Sequence, residues 1–257
     1  MWRTSQAAKG AMAMIHTVTG MVVRWANYGE ANRMLTVLTR EMGKISVGAV
    51  GCRKPKSRLA SGAQLFFYGR LMVRESKGRS YLASVEMLDA FFDLRSDVRR
   101  LAYATYLANA AETFMLEGEP NEELFHLLLS AVAQVCYGSG DPRDIRDIYL
   151  VKLMDLMGFC PEVEHCLRCG KANEPAMRFV PEEGGVLCTS CAPLAGGPIS
   201  AGALRIIASS RWIPLTKMGS VKLGNYRKEI EDALLGFVRY HMDTRFKALA
   251  FLDEIEN

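Results

Sequence analysis

Apolar residues in the first third of the chain come in short runs separated by turn-forming residues. The runs are rich in β-branched residues, and groups such as Asn27-Tyr28-Gly29-Glu30 and Met42-Gly43-Lys44 lie between them. This pattern predicts strands over Val18–Trp25, Met34–Thr39, Ile45–Gly51, Gln64–Val73 and Ser80–Met87. Five short strands joined mostly by tight turns favour a small, closed or partly closed barrel, and the five-stranded OB-fold is the leading candidate.

From about Phe91 the apolar positions follow the i, i+3, i+4 spacing of helices. Gly118-Glu119-Pro120 ends the first predicted helix, and Asn121 caps the second. Asp141-Pro142 combines a cap with a proline at the first helical position, and Gly158 is a stop signal for that helix. Further helices are predicted from Ser200, over Tyr226–Tyr240 and over Arg245–Leu252.

Four cysteines form two pairs, Cys166-x-x-Cys169 and Cys188-x-x-Cys191, with eighteen residues between the pairs. Each pair places two thiolates on a tight turn, and the spacing is that of a four-cysteine zinc site. A tetrahedral shell of four sulfurs suits Zn²⁺ and leaves no open coordination position, so the expected ion is structural. Iron in a similar site is the less favoured alternative. His165 directly precedes the first pair and is expected to be a bystander.

These patterns together predict an α+β multidomain protein. An N-terminal OB-fold β-barrel is followed by a helical body that carries an inserted four-cysteine zinc module. The predicted boundaries are a flexible leader over 1–13, the barrel over 14–89, the helical domain over 90–159 and 199–257, and the zinc module over 160–198.

Composition is ordinary for a globular protein, with 49% hydrophobic and 23% charged residues among 257. No apolar run reaches the ~18 residues that a membrane helix needs, and residues 2–20 lack the apolar core of a secretory signal. We therefore expect a cytoplasmic protein. Its remaining cysteines, Cys52, Cys136 and Cys160, are expected to be plain buried or half-buried thiols.

Positive charge is concentrated in the first part of the chain. Residues 1–90 contain 14 Lys/Arg against 5 Asp/Glu, whereas residues 91–257 contain 18 against 23. A basic half joined to an acidic half indicates that the basic half binds a polyanion. The alternative is a solvated surface that happens to be basic.

The densest basic run is Arg53-Lys54-Pro55-Lys56-Ser57-Arg58, a predicted loop between strands. Such a loop can lay its charges along a phosphate backbone. The predicted DNA-binding residues are those cations and others of the barrel: Arg24, Arg33, Arg40, Lys44, Arg53, Lys54, Lys56 and Arg58. Aromatic residues that could stack on bases are Trp25, Tyr28, Phe66, Phe67 and Tyr68, although Phe66 or Phe67 is expected to fill the barrel core.

The sequence contains no phosphate-binding loop, no metalloprotease helix motif and no nucleophile elbow. We therefore expect a binding protein and no enzyme. Asp141, Asp144 and Asp147 lie near the predicted start of one helix. Favourable interaction with the positive N-terminal end of that helix accounts for the positions of Asp141 and Asp144, so no bound metal is needed to explain them.

The order of several short motifs resembles the bacterial recombination-mediator family RecO over roughly residues 17–252. The motifs are Val22-Val23-Arg24, Tyr28-Gly29-Glu30, Leu38–Lys44, Gly51–Arg58, Leu156-Met157-Gly158-Phe159 and the start of the cysteine module. The resemblance implies an OB domain, a helical domain and a zinc module. It also implies binding of single- and double-stranded DNA, strand annealing and action with RecR. Together the two proteins would let RecA replace single-stranded DNA-binding protein.

The same resemblance implies a site for the acidic, apolar C-terminal tail of single-stranded DNA-binding protein. A cationic and apolar groove in the helical body would suit that peptide. Arg143, Arg146 and Lys152 are candidates on sequence grounds only.

Three other functions remain open from the sequence. An OB barrel with a zinc ribbon also suits an RNA-binding protein without an annealing role. A zinc enzyme would require an open coordination position, and a purely structural adaptor would bind no nucleic acid.

Overall fold

The computed structural model of the chain describes residues 14–172 and 176–241. The chain divides into two compact units. One contains the described residues through Ala90 together with Glu117–Pro120, and the other contains Phe91–Leu116 and the described residues from Asn121 onward. The predicted leader, 1–13, and the predicted helix Arg245–Leu252 lie outside the described residues. The predicted separation of the cysteine module from the helical domain stays a prediction.

The first unit is built on a closed five-stranded barrel with the order β1-β2-β3-β5-β4, which confirms the predicted OB-like fold. Its strands are β1 (Ile15–Tyr28), β2 (Asn32–Thr39), β3 (Gly43–Ala49), β4 (Tyr68–Ser76) and β5 (Arg79–Asp89). Four of the five contacts are antiparallel, and β3 meets β5 in parallel at Gly48 and Tyr81.

Alternating residues of each strand fill the barrel. Leu35 and Val37 of β2, Val47 of β3, and Leu71 and Val73 of β4 are at most 3% exposed and belong to one apolar cluster. Because successive side chains of a strand point to opposite faces, the residues between these positions lie on the outer face. The outer face is therefore where the barrel presents its polar and charged side chains.

The fourth strand begins at Tyr68, four residues later than predicted. Phe66 adopts a left-handed φ of 62°, and its N–H donates to the Val22 carbonyl at 2.8 Å. Phe66 and Phe67 are 2% and 0% exposed, so this turn carries both rings into the interior. The expectation that one of them fills the core is confirmed, and neither offers a surface for base stacking.

Five α-helices lie in the described part of the second unit. They are α1 (Val98–Phe114), α2 (Glu122–Tyr137), α3 (Pro142–Leu156), α4 (Ala201–Ser210) and α5 (Arg227–His241). None of the described helices combines the length and apolar character that crossing a bilayer requires.

The predicted helix ends are confirmed by their caps. The side-chain oxygens of Asn121, Asp141 and Ser200 accept hydrogen bonds from backbone N–H groups in the first turns of α2, α3 and α4. The N···O distances are 2.9, 3.0 and 3.3 Å, respectively. Gly158 follows α3 with a φ of 77°. The first helix begins later than predicted, because a 3₁₀ turn over Phe92–Ser96 precedes α1.

Partly buried ion pairs join α3 to α5. Asp144 accepts two hydrogen bonds from the Arg227 guanidinium, at 2.7 and 2.9 Å. Arg146 contacts Asp147 at 2.7 Å and Glu231 at 2.8 Å, and both Arg146 and Asp147 are at most 2% exposed. Asp144 is therefore held by an arginine of another helix, in addition to any favourable interaction with the start of its own.

Candidate metal centre and nucleic-acid interface

The four cysteines lie on two turns beside a small sheet with the order β7-β6-β8. The sheet contains β6 (Met177–Val180), β7 (Gly185–Cys188) and β8 (Gly197–Ile199). After the first pair, the N–H of Gly170 donates to the Cys166 carbonyl at 2.8 Å, and Gly170 has a φ of 71°. After Cys188, the N–H of Cys191 donates to the Cys188 carbonyl at 3.0 Å. Each Cys-x-x-Cys segment is thus a tight turn, as predicted.

The sulfur atoms of Cys166, Cys169, Cys188 and Cys191 all lie within 4.8 Å of one another, and those of Cys169 and Cys188 are 3.7 Å apart. Four sulfurs at about 2.3 Å from a tetrahedral ion would be separated by about 3.8 Å. The cluster therefore fits a metal ion that prefers thiolate ligands. His165 groups with Glu162 and Glu164, apart from these sulfurs.

Hydrogen bonds within the cluster shift the pKa values of two of its thiols in opposite directions. Burial raises the pKa of Cys166, but hydrogen bonds from backbone N–H groups outweigh it and lower that pKa to about 6. The N–H of Cys188 makes the largest of these contributions. The Cys188 N–H lies 3.3 Å from the Cys166 sulfur. Hydrogen bonds with the thiols of Cys188 and Cys169 raise the pKa of Cys191 to about 12. Four thiolates this close repel one another, so full ionisation requires a bound cation.

The loop that carries the densest basic run is held by backbone contacts. The N–H of Gly51 donates to the Asn32 side chain at 2.8 Å, and the N–H of Arg53 donates to the Ala31 carbonyl at 3.0 Å. The Cys52 side chain between them is 4% exposed and belongs to the barrel core. The loop is thus a fixed platform beside the turn between β1 and β2.

The cations of this platform point to solvent. Arg53, Lys54, Lys56 and Arg58 are all exposed, and in the described part of the chain none of the four has a salt bridge or a side-chain hydrogen bond. We call these four residues the basic loop. Lys56 has a left-handed φ of 63°, a conformation that costs an L-residue about 1 kcal/mol.

The other predicted DNA-binding cations lie at several places along the strands of the barrel. Arg33 is half-buried; it donates to the Ala63 carbonyl at 2.6 Å and lies 3.9 Å above the Trp25 ring. Arg40 is exposed and contacts Glu41 at 3.3 Å. Arg40 follows the end of β2, about 23 Å along the strand from Arg33, and Lys44 pairs with Leu38, about 17 Å along the strand from Arg33. Arg24 pairs with Thr36 in the middle of β1 and β2.

A groove of about 690 Å³ on the first unit was not predicted from the sequence. Residues from all five strands and from the segment 117–118 line it, among them Tyr28, Met34, Lys44, Arg79 and Tyr81. Tyr28 was a predicted stacking residue, but nothing in the sequence pairs it with Tyr81, which is 53 positions away.

The three predicted peptide-binding residues are placed differently from one another. Arg146 is 2% exposed and paired with two carboxylates, so the prediction that it contacts a partner peptide conflicts with its burial. Arg143 is half-buried, and its guanidinium contacts Asp141 at 3.1 Å. Lys152 lines a groove of about 280 Å³ with the apolar residues Leu127, Leu156 and Leu215 and with Arg211, a residue that sequence reasoning missed.

An OB-like barrel, a helical body and a cluster of four cysteines that fits a metal ion place this chain in the class of multidomain OB-fold proteins. Its N-terminal part matches the family model for the recombination protein O N terminal over residues 12–91, and the C-terminal part matches the recombination protein O C terminal over residues 95–250. The chain therefore belongs to the RecO family.

Curated relatives agree with that assignment. The chain is 32% identical over 247 residues to the DNA repair protein RecO of Bacillus subtilis, covering 95% of this chain and 96% of that protein. It is 35% identical over 245 residues to a protein of the same name from Anaeromyxobacter, with 93% and 95% covered. For the relative from Pelotomaculum thermopropionicum the identity is 31% over 242 residues, with 93% and 94% covered.

Proposed function

We propose that this protein binds single-stranded DNA on its barrel and anneals complementary strands. In this role it would act with RecR and help RecA to load on DNA covered by single-stranded DNA-binding protein. The observation that supports this most is the basic loop, which holds four exposed cations on a fixed platform of an OB-like barrel. Membership of a family whose relatives are named DNA repair proteins supports the repair context.

Annealing needs charge neutralisation and no bond chemistry. Two polyanionic strands repel each other, and a basic surface reduces that repulsion by replacing the counterions around the phosphates. Base pairing then drives the step, so nucleotide hydrolysis is not required. We accordingly assign no catalytic residue, and we place the protein in the cytoplasm with the nucleoid.

Competition between oligonucleotides of one sequence tests the binding step. We expect a DNA oligomer to bind with an affinity that falls steeply as the salt concentration rises. The slope of the logarithm of the binding constant against the logarithm of the salt concentration should become more negative by about 0.7 for each phosphate contact. An RNA oligomer of the same sequence is expected to compete more weakly. Tighter binding of the RNA would favour the RNA-binding alternative, and salt-independent binding would contradict the proposal.

We infer that the ion of the four-cysteine centre is Zn²⁺. The sulfur spacing and the four-thiolate donor set support this assignment. When bound, the ion supplies a cross-link between the two Cys-x-x-Cys turns. Cys166, Cys169, Cys188 and Cys191 would hold it, and their side chains occupy all four tetrahedral positions.

The groove lined by Lys152 is our proposed site for the C-terminal tail of single-stranded DNA-binding protein. Lys152 donates to the Arg211 carbonyl at 2.8 Å, which fixes both residues at the groove. The apolar lining suits the apolar end of the tail, and Lys152 and Arg211 suit its acidic residues. Glu123 and Asp155 also line the groove, and Asp155 lies 3.9 Å from Arg211, so an acidic tail would have to replace that carboxylate at the guanidinium. Trp212, next to Arg211 in the chain, is 79% exposed and adds an aromatic surface nearby.

Replacing Arg211 by alanine should weaken binding of a labelled tail peptide about tenfold, because a charge-assisted hydrogen bond is lost. Fluorescence anisotropy measures this effect. Arg205→Ala removes an exposed arginine of α4 that does not line the groove, and it is expected to leave the affinity unchanged. Equal affinities for wild type and Arg211→Ala would place the tail elsewhere.

A further inference from the structure

The ring of Tyr81 and the hydroxyl of Tyr28 both lie next to one glycine of the barrel, Gly48. Gly48 lies in β3 between Val47 and Ala49, which point into the core, so Gly48 faces the outer side. A Cβ atom at Gly48 would lie 3.1 Å from the Tyr28 hydroxyl and 3.3 Å from Cδ1 of Tyr81. A side chain at position 48 would therefore push the Tyr28 hydroxyl and the Tyr81 ring outward by a few tenths of an ångström, and glycine allows both to lie close to the strand.

These rings form part of the groove of about 690 Å³ described above. Tyr28 is 37% exposed, Tyr81 is half-buried, and Met34 is 43% exposed. The groove thus presents aromatic and thioether surface to solvent on the outside of a barrel whose core is already filled. Its volume is within the usual range for a small-molecule site.

Charged residues of both signs line the same groove. Lys44 and Arg79 supply positive charge, whereas Glu75 and Glu117 supply negative charge. The carboxylates repel phosphate groups from their part of the groove, and they can accept hydrogen bonds from the amino groups of bases. The mixture suits an uncharged aromatic group joined to a phosphate better than it suits a row of phosphates.

We propose that this groove is a stacking site for unpaired nucleobases, with Tyr28 and Tyr81 as its aromatic surface. This inference rests on the proposed binding of single-stranded DNA and adds a strand preference to it. Bases within a duplex are already stacked on one another, so the groove accepts only unpaired bases. The basic loop contacts phosphates, which single strands and duplexes both present, so its binding does not depend on base pairing.

The two surfaces therefore have different roles in annealing. The basic loop keeps hold of a strand before and after pairing, because its contacts are electrostatic. The groove holds bases only until they pair, because a base cannot stack on the tyrosines and lie within a duplex at once. Pairing thus releases the strand from the groove and favours departure of the product.

An oligothymidylate and an abasic oligomer of equal length and equal phosphate number provide the test. Stacking of one base on an aromatic side chain predicts that the wild-type protein binds the oligothymidylate about 5- to 150-fold more tightly. The logarithmic salt slopes of the two oligomers are expected to be equal. Equal affinities for the two oligomers would overturn the inference.

Variants of the two rings locate the effect. Tyr81→Leu and Tyr28→Leu are each expected to reduce the preference for the oligothymidylate over the abasic oligomer without changing the salt slope. Tyr81→Phe is expected to retain that preference, because it keeps an aromatic ring. Tyr240→Leu removes an exposed ring of the second unit and serves as the matched control. A preference that survives both leucine substitutions would move the stacking site away from the groove. Absence of salt-sensitive binding to either oligomer would overturn the proposed function itself, which distinguishes the two failures.

Discussion

Replacing all four cations of the basic loop by glutamine is expected to lower the affinity for a single-stranded oligonucleotide by about 600-fold at 0.1 M salt. The variant is Arg53→Gln, Lys54→Gln, Lys56→Gln and Arg58→Gln. Each lost phosphate contact removes about 0.7 from the logarithmic salt slope, so four contacts remove about 2.8. Titrations at several salt concentrations measure both quantities.

The fold should survive this change, because backbone hydrogen bonds and the buried Cys52 hold the loop and none of the four side chains does. Surface substitutions of this kind usually change stability by less than about 0.5 kcal/mol each. A matched control removes four exposed cations of the second unit, namely Arg205, Lys217, Lys222 and Lys228. If the loop variant keeps the wild-type slope, or if the control loses as much, the basic loop is not the DNA site.

Cys188→Ser is expected to abolish tight metal binding and to lower the melting temperature by about 10 °C. Cys188 is the last residue of β7, is 2% exposed, and has its sulfur 3.7 Å from that of Cys169. Its replacement therefore leaves only three sulfur ligands for the ion. Structural zinc sites bind with about 10–16 kcal/mol of free energy, and that energy is coupled to local folding. Losing 3–5 kcal/mol of stability shifts the melting temperature by about 2–4 °C per kcal/mol in a protein of this size.

Metal content by mass spectrometry and thermal unfolding by circular dichroism check this result. Cys160→Ser provides the control, because Cys160 is a half-buried thiol outside the four-cysteine cluster. We expect the control to retain one ion per chain and nearly the wild-type melting temperature. A Cys188→Ser protein with unaltered metal content and stability would show that the four sulfurs are not a metal centre.

Features that depend on neighbouring residues were predictable from the sequence. The caps Asn121, Asp141 and Ser200 act within three positions of themselves, and their helices begin where predicted. The cysteine turns are equally local, since each pair spans four residues. The spacing between the pairs then sufficed to predict that the four sulfurs come together.

Features that depend on distant contacts were not predictable in this way. Phe66 takes a left-handed conformation because Val22 and the barrel interior hold it, so the fourth strand starts later than its residue pattern indicates. Arg146 looked like a surface cation, but Glu231, 85 positions away, makes its burial possible. Tyr81 joins Tyr28 only because closure of the barrel brings β5 beside β3.

Annealing of complementary oligonucleotides, naked or covered with single-stranded DNA-binding protein, tests the central proposal most directly. A fluorescence-quenching assay would compare the wild-type protein with the basic-loop variant on the same strands. We predict that the wild type accelerates annealing in both cases, that salt suppresses the acceleration, and that the variant loses most of it. Annealing at the uncatalysed rate with the wild type, or equal acceleration by wild type and variant, would contradict the proposal that the cations of the barrel bring the strands together.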